Sequence, residues 1–451
     1  MLKTFTGGVH PHDYKELSKG AAIRRLDPPA EVVVALSQHI GAPAQAVVQK
    51  GDEVKKGQLI GEAGGFVSAP VHAPVSGKVL KLDTCPHPVG MKVGAVVIEN
   101  DGADEWIEGC DRERDYSSLS PKEIKEAIMA AGIVGMGGAT FPTHVKLSPP
   151  PEKPIEYAIL NGAECEPFLT SDYRLMKEKP DGVYEGFKII MRALGAKKGI
   201  IAIESNKPDA FATMQKKAAG DSDITVELLK VKYPQGAEKT LIKTVLDREV
   251  PSGGLPMDVG VVVQNVGTAF AVFEALAYNR PLIERVVTVT GDRVRKPSNF
   301  LAPIGTPIQA LLDAAETSEK FNKVILGGPM MGIAQYTTGL PVMKGTSGVL
   351  VTGAKDTGAW RSCIRCGRCV EVCPMQLVPS QISVYAEAND FAALKEWDVL
   401  DCVECGCCTY ICPARRPIVH FVKHGKAELA RMRAEEKKQQ EAEKQKAAAA
   451  P

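Results

Sequence analysis

The sequence predicts a multidomain protein of mixed α/β and α+β class, and three observations carry that prediction. Residues 30–100 are rich in Val, Gly and Pro, with turn signals at short intervals, as in a small β-rich module. In the middle of the chain, short apolar runs deliver polar, glycine-bearing loops, the pattern of buried parallel strands in an α/β sheet. Near the C-terminal end, nine of the 12 cysteines fall between Cys363 and Cys412. At 451 residues the chain is too long for one core. Its formal net charge of +1 gives no reason to expect nucleic acid or broad attachment to anionic lipid. No basic stretch followed by an apolar one opens the chain, so no signal peptide is expected. The most apolar run, Val259 to Tyr278, is interrupted by Gln264, Asn265 and Glu274, which suits a buried strand and helix better than a membrane span.

The first module, expected over 1–110, contains Lys50-Gly-Asp-Glu-Val-Lys-Lys-Gly-Gln-Leu-Ile-Gly61 and Ala73-Pro-Val-Ser-Gly-Lys-Val79. It resembles a lipoyl- or biotinyl-type hammerhead, a barrel-sandwich hybrid. Such carriers need a modifiable lysine at a hairpin tip, and none stands between Lys56 and Lys78. A docking or packing surface is therefore expected, not a carrier.

The second module, expected over 111–285, is entered through Ser120-Pro121-Lys122-Glu123, a helix start, which leads to Gly132-Ile-Val-Gly135-Met-Gly137-Gly138-Ala-Thr-Phe141-Pro142-Thr143-His-Val-Lys146. Closely spaced glycines let backbone N–H groups turn toward an anion or a flat ring, with Lys146 as counter-charge. Thr140 stands where a third glycine of a dinucleotide fingerprint would fall, so an ordinary Rossmann site is not supported. The runs Tyr157–Leu160 and Val259–Val263 read as buried strands. They deliver Asn161-Gly-Ala-Glu164-Cys-Glu166-Pro167 and Gln264-Asn265-Val-Gly-Thr268, while Tyr233-Pro-Gln-Gly236-Ala-Glu238-Lys239 opens a helix. Each alone is equally a turn with capping residues. Together they sit where open α/β sheets bind nucleotides.

The third module, expected over 286–350, starts with the alternating strand Val286–Thr290, continues to a helix at Pro307–Ala315 and a strand at Lys323–Leu326, and holds the turn Gly327–Gly332. The fourth, expected over 351–425, carries Cys363-x2-Cys366-x2-Cys369-x3-Cys373-Pro374 and Cys402-x2-Cys405-x2-Cys408-x3-Cys412-Pro413. This is the spacing of two-cluster bacterial ferredoxins, in which three cysteines of a run hold one [4Fe–4S] cluster and the fourth reaches the other. Cys363, Cys366, Cys369 and Cys412 are thus expected at one cluster, and Cys402, Cys405, Cys408 and Cys373 at the other. A zinc ribbon would pair two C-x2-C units instead. Cys407 falls out of register and is expected to be a bystander. Ser380 to Trp397 reads as one long linking helix. The tail, 426–451, alternates charge without an apolar face and reads as solvated helix or disorder.

The middle block resembles the FMN- and NADH-binding flavoprotein of respiratory complex I, with its F-P-T-G-x-K, N-A-D-E-x-E-P, G-E-E and N-N-V-E-T loops. That resemblance implies a complex I flavoprotein-like α/β domain followed by a ubiquitin-like β-grasp. It would place Gly135, Gly137, Gly138, Lys146, Asn161, Glu164, Gly236, Asn265 and Thr268 around FMN. Phe141, Glu166 and Glu238 would face the nicotinamide nucleotide, the two carboxylates as the catalytic pair. Met136, Ala163, Ala237 and Gly267 stand where that family has Arg, Asp, Glu and Glu.

The order of hammerhead, flavin domain, β-grasp and two-cluster ferredoxin domain resembles the RnfC family of the Rnf complexes, which are ion-translocating ferredoxin:NAD⁺ oxidoreductases. The opening Phe5-Thr-Gly-Gly-Val-His-Pro11 and the closing Cys408-Thr-Tyr-Ile-Cys412-Pro-Ala-Arg-Arg-Pro417 add to it, and it covers nearly the full length except the tail. It implies a protein held peripherally at the cytoplasmic face of the cell membrane by membrane and ferredoxin-like partner subunits. NAD(H), FMN and two [4Fe–4S] clusters would be its redox groups. Two alternatives are a soluble flavin and iron–sulfur cobalamin reductase and a non-enzymatic iron–sulfur relay with a degenerate flavin site.

Overall fold

The α/β domain is built on four strands lying side by side in the order Ile224–Leu229, Lys198–Glu204, Tyr157–Gly162 and Val261–Asn265, all parallel. The structure, a computed structural model, describes residues 2–354 and 358–448. The central runs of these strands are apolar because both faces are covered. Leu160, Ile201, Ile203 and Val262 belong to the core shared with the helices Pro180–Leu194 and Val266–Tyr278. Ile159, Ile200, Ala202, Val261 and Val263 pack with Leu241, Ile242 and Val245 of the helix Glu238–Leu246. Gly186 allows the first two helices to touch, since a Cβ there would lie 1.8 Å from the Ala269 carbonyl oxygen. The first strand has its chain successor on one side and the last strand on the other. Such a switch point opens a crevice at the C-terminal strand ends, where Asn161 and Asn265 are register partners.

The barrel-sandwich module packs a four-stranded sheet against a three-stranded one. The first holds Glu31–Ala35, Lys92–Asn100, Gly77–Pro86 and Glu53–Val54; the second holds Gln45–Ala46, Leu59–Glu62 and Val71–His72. Val32, Val34, Ile60, Val71, Val79, Val96 and Ile98 fill the space between them. The β-grasp has six strands, in the order Ile23–Arg25, Ser298–Pro303, Glu284–Thr290, Gly348–Thr352, Lys323–Leu326 and Ile333–Gln335, and the helix Ile308–Ala314.

Three details differ from the sequence reading. Residues 3–25 do not join the barrel, although 1–110 reads as one module. Lys3 bridges to Leu229, Val9 to Tyr233, and Ile23–Arg25 pairs with the β-grasp, so this segment is a strap across modules. The linking segment of the cysteine domain is two helices, Pro379–Glu387 and Phe391–Glu396, because Asn389 adopts a φ of 57° between them. The tail continues the helix Ile418–Ala448, and its first turns are docked: Leu429 is fully buried and Lys426 donates to the Cys402 carbonyl at 2.6 Å. The single leucine in a charged stretch hides this contact from a periodicity search. Among the described residues, no helix is long and apolar enough to cross a membrane.

Lys344 locks three modules together. Its buried ammonium donates to the Pro70 and Gly132 carbonyls, both at 2.7 Å, one on the barrel and one at the root of the glycine loop. Burial pushes its pKa down to about 7. The unfolded chain keeps that proton to about pH 10, so between these values unfolding takes up a proton and the folded state gains stability as pH rises. Lys344→Met is expected to flatten the rise in thermal midpoint across that window. It should also lower stability at pH 9 by about 1–3 kcal/mol, because two buried carbonyls lose their donor. Calorimetry of both proteins over the pH range checks this.

Candidate functional site

The crevice at the strand ends is lined from the residues that deliver it. The helix Pro121–Ala130 begins with a capping box formed by Ser120 and Glu123 and leads into the glycine loop. The loop is closed by Gly135 N–H to the Phe141 carbonyl at 2.9 Å, and Met136 N–H donates to the Thr268 hydroxyl at 2.9 Å. Asn265 accepts from Gly267 and Thr268 N–H, capping the helix that follows, and its amide donates to Asp172 at 2.6 Å. A Cβ on Gly137 would lie 3.0 Å from the Asn265 side chain, whereas Gly138 faces open space. Across the crevice Asn161 donates to the Gly236 carbonyl at 2.8 Å, and Lys146 pairs with Glu238 at 2.5 Å. Direct contacts thus join Gly137 to Asn265, Met136 to Thr268, Asn161 to Gly236 and Lys146 to Glu238 around these strand ends. In the segments that carry these residues, Thr143 Oγ1, Gln235 Oε1 and Gln264 Nε2 are buried without a hydrogen-bond partner among the described residues. Glycine backbone, a lysine and unpartnered amide atoms together fit a flat polar ring carrying a phosphate.

Glu164 and Glu166 are placed differently. Glu164 accepts from Asp172 and Tyr173 N–H at 2.7 and 3.3 Å, the start of the helix Ser171–Glu178, with the buried Lys15 ammonium 4.0 Å away. Burial raises its pKa against the pull of Lys15. Glu166 accepts from Met330 and Met331 N–H at 2.6 and 3.2 Å, so the Gly327–Gly332 turn of the β-grasp closes on it. Gly328 is required there, because its Cβ would come within 2.2 Å of Glu166 Cγ. Glu238, its side chain 37% exposed, is the carboxylate of the three that remains open to the crevice.

The cysteines line two separate cavities. Cys373, Cys402, Cys405 and Cys408 line one, with Cys407 beside them; Cys363, Cys366, Cys369 and Cys412 line the other. Each run thus lends its last cysteine to the other cavity. The two loops share a backbone course: Arg365 and Glu404 have φ of 54° and 57°, Gly367 and Gly406 have 79° and 85°. The N–H groups of Arg365 and Glu404 point at Cys363 and Cys402 Sγ, both at 3.4 Å. Four thiols around each cavity, with amides directed at sulfur, fit a cubane cluster.

The cavity of Cys373, Cys402, Cys405 and Cys408 abuts the crevice through Tyr233, a residue the sequence reading did not single out. Tyr233 is 2% exposed and donates its hydroxyl to the Cys405 carbonyl at 2.7 Å. Cys407 Sγ reaches the Tyr233 carbonyl at 3.8 Å. The strap lies against the same joint, through Val9–Tyr233 backbone bonds of 2.8 and 2.9 Å and Gly8 N–H to the Val372 carbonyl at 2.8 Å.

Comparison with known proteins follows this division. The RnfC barrel sandwich hybrid domain matches residues 3–103, the Nuo51 FMN-binding domain 128–274, the SLBB domain 286–334 and the 4Fe-4S dicluster domain 359–442. The C subunit of the proton-translocating ferredoxin:NAD(+) oxidoreductase complex of Clostridium ljungdahlii is 51% identical over 95% of this chain and 94% of its own. The chain belongs to the RnfC family of the Rnf complexes. The C subunit of the Na(+)-translocating complex of Acetobacterium woodii is 46% identical over 94% of this chain and 97% of its own. That of the ion-translocating oxidoreductase complex of Rhodobacter capsulatus is 42% identical, over 95% and 84% respectively. As an RnfC protein the chain is part of a multi-subunit complex, and it combines an FMN-binding domain with a two-cluster iron–sulfur domain.

Two substitutions separate ligand from bystander. Cys405→Ala is expected to remove one of two cluster signals in electron paramagnetic resonance and about half of the bound iron. Cys407→Ala is expected to keep both. Iron assay and spectra of the reduced proteins read the difference.

Proposed function

We propose that this chain is the peripheral electron-transfer subunit of a membrane-bound ion-translocating ferredoxin:NAD⁺ oxidoreductase. It exchanges hydride between NAD(H) and FMN and passes single electrons through two [4Fe–4S] clusters. One observation carries this reading: the segment from Tyr233 to Gly236 is bonded both to the cysteine loop, through Tyr233 to the Cys405 carbonyl, and to the strand end, through Asn161 to the Gly236 carbonyl. Flavin chemistry joins a two-electron donor to one-electron carriers. The chain's own residues do the rest. Gly135, Gly137 and Gly138 present backbone to the ring and phosphate, Lys146 supplies the counter-charge, Asn161 ties its strand end to Gly236, and Asn265 caps the helix that follows. Glu238 and Phe141 border the nicotinamide side. Glu166 acts there through its hold on the β-grasp turn, and Glu164 through the helix start it anchors.

Cys402, Cys405, Cys408 and Cys373 bind the cluster next to the flavin. Cys363, Cys366, Cys369 and Cys412 bind the one facing outward, where electrons enter or leave. Attachment to the cytoplasmic face of the membrane runs through partner subunits, among them ferredoxin-like ones. The same modules in a cobalamin reductase follow another order, and a barrel ahead of the flavin loop does not suit it.

Anaerobically purified protein is expected to contain FMN and about eight irons, with NADH bleaching the flavin and producing cluster signals. Absence of both flavin and NADH-reducible clusters refutes the proposal. Gly137→Val, whose side chain collides with Asn265, is expected to lose FMN while iron content stays at the wild-type level.

A further inference from the structure

The two cysteine cavities differ in what covers them. Around the inner one Cys373, Cys405 and Cys408 are buried, and Cys405 and Cys407 pack with Val9, Tyr233 and Met330. Gly406 and Gly7 allow backbone to press on backbone there, their Cβ positions lying 2.8 Å from the Met330 and Cys373 carbonyl oxygens. The acids on that side are neutralised: Glu404 pairs with Lys426 at 2.9 Å, and Asp401 lies 4.0 Å from Lys239.

The outer cavity is the reverse. Its loop carries an exposed ligand, Cys366, and an apolar tip, Ile364 at 66% and Trp360 at 44% exposure. Arg361, Arg365 and Arg368 are exposed around it, and none forms an ion pair among the described residues. Arg416 lies beneath, buried, stacked 5.1 Å from the Trp360 ring and paired with Glu387 at 2.5 Å, so the tip has a fixed seat. Glu371 is the one acid between Trp360 and Cys373. Since the whole chain carries a net charge of only +1, this concentration of arginine is local.

We propose that this loop is the docking surface for a small acidic protein that carries one electron, with Ile364 and Trp360 at the centre and Arg361, Arg365 and Arg368 as the charged rim. The proposal rests on the reading that the outer cavity holds a cluster. One electron crosses in each encounter: the carrier is oxidised by one electron and the outer cluster reduced by one, or the reverse. No bond or proton changes hands. Rim charges act mainly on the rate of encounter and on its salt dependence, and an apolar centre excludes water from the contact.

The test compares the cofactor-loaded wild-type protein with the double variant Arg361→Glu, Arg368→Glu. Stopped-flow electron exchange with an acidic two-cluster ferredoxin is measured over a range of salt, with NADH-driven reduction of menadione, a neutral acceptor, alongside. The expected result is a loss of about tenfold or more in the ferredoxin rate at low salt, with the falling salt dependence flattened. Iron, FMN and the menadione rate stay unchanged. Ile364→Ala is expected to slow the ferredoxin reaction also at high salt, where the rim is screened. An unchanged ferredoxin rate in the double variant overturns the proposal. So does loss of binding to anionic lipid vesicles without loss of ferredoxin exchange, which makes the surface a membrane contact. A wild-type protein that lacks clusters or does not respond to NADH refutes the functional reading beneath it instead.

Discussion

Tyr233 donates its phenol to the Cys405 carbonyl inside a joint closed to water, and the arrangement of the molecule converges on that contact. The residue belongs to the segment that walls the crevice, yet its hydroxyl ends on the cysteine loop. A buried hydroxyl without a partner would cost about 1–3 kcal/mol, so the two loops are held in one relation. Burial, followed by the nearby Glu166, keeps the phenol firmly protonated and thus a donor. The strap at Val9 and the β-grasp turn at Met330 pack on the same joint, which brings four parts of the chain to one cluster site. Fixed separation is what electron transfer between two redox groups requires, and here it comes from the buried Tyr233 hydroxyl together with the backbone bonds of the strap.

The carboxylates illustrate how one loop serves two ends. The segment from Asn161 to Pro167 leaves the switch point with Asn161 in the crevice, then turns at Glu164, whose φ is 44°. Glu164 caps the next helix, and Glu166 reaches the β-grasp. Both side chains are satisfied by backbone N–H groups, which favours their charged forms, while burial works against it. The β-grasp is thereby tied to the flavin domain by a hydrogen-bonded carboxylate rather than by apolar area alone. The Lys344 contacts do the same for the barrel.

Charge is distributed to match. Glu404 and Asp401 near the inner cysteine loop have lysine partners, and the outer loop has three arginines against one acid, Glu371. The buried site depends on geometry, and the exposed one on long-range attraction that salt can weaken.

Much of this was legible in the sequence because the signals are local. The cysteine spacing determined which thiols a single loop can bring together. The apolar runs ending in Asn161 and Asn265 determined buried parallel strands with polar ends, and the glycine loop determined an exposed backbone. What the sequence did not determine are relations between distant segments. That residues 3–25 form a strap, that Tyr233 joins crevice to cysteine loop, and that Glu166 belongs to a turn beginning at Gly327 are products of packing. A hydrogen bond between residues 172 positions apart leaves no periodicity to read. The sequence determined which groups the chain holds; the tertiary structure decided which cysteine cavity lies inside and which faces out, because burial is a property of neighbours that only folding supplies.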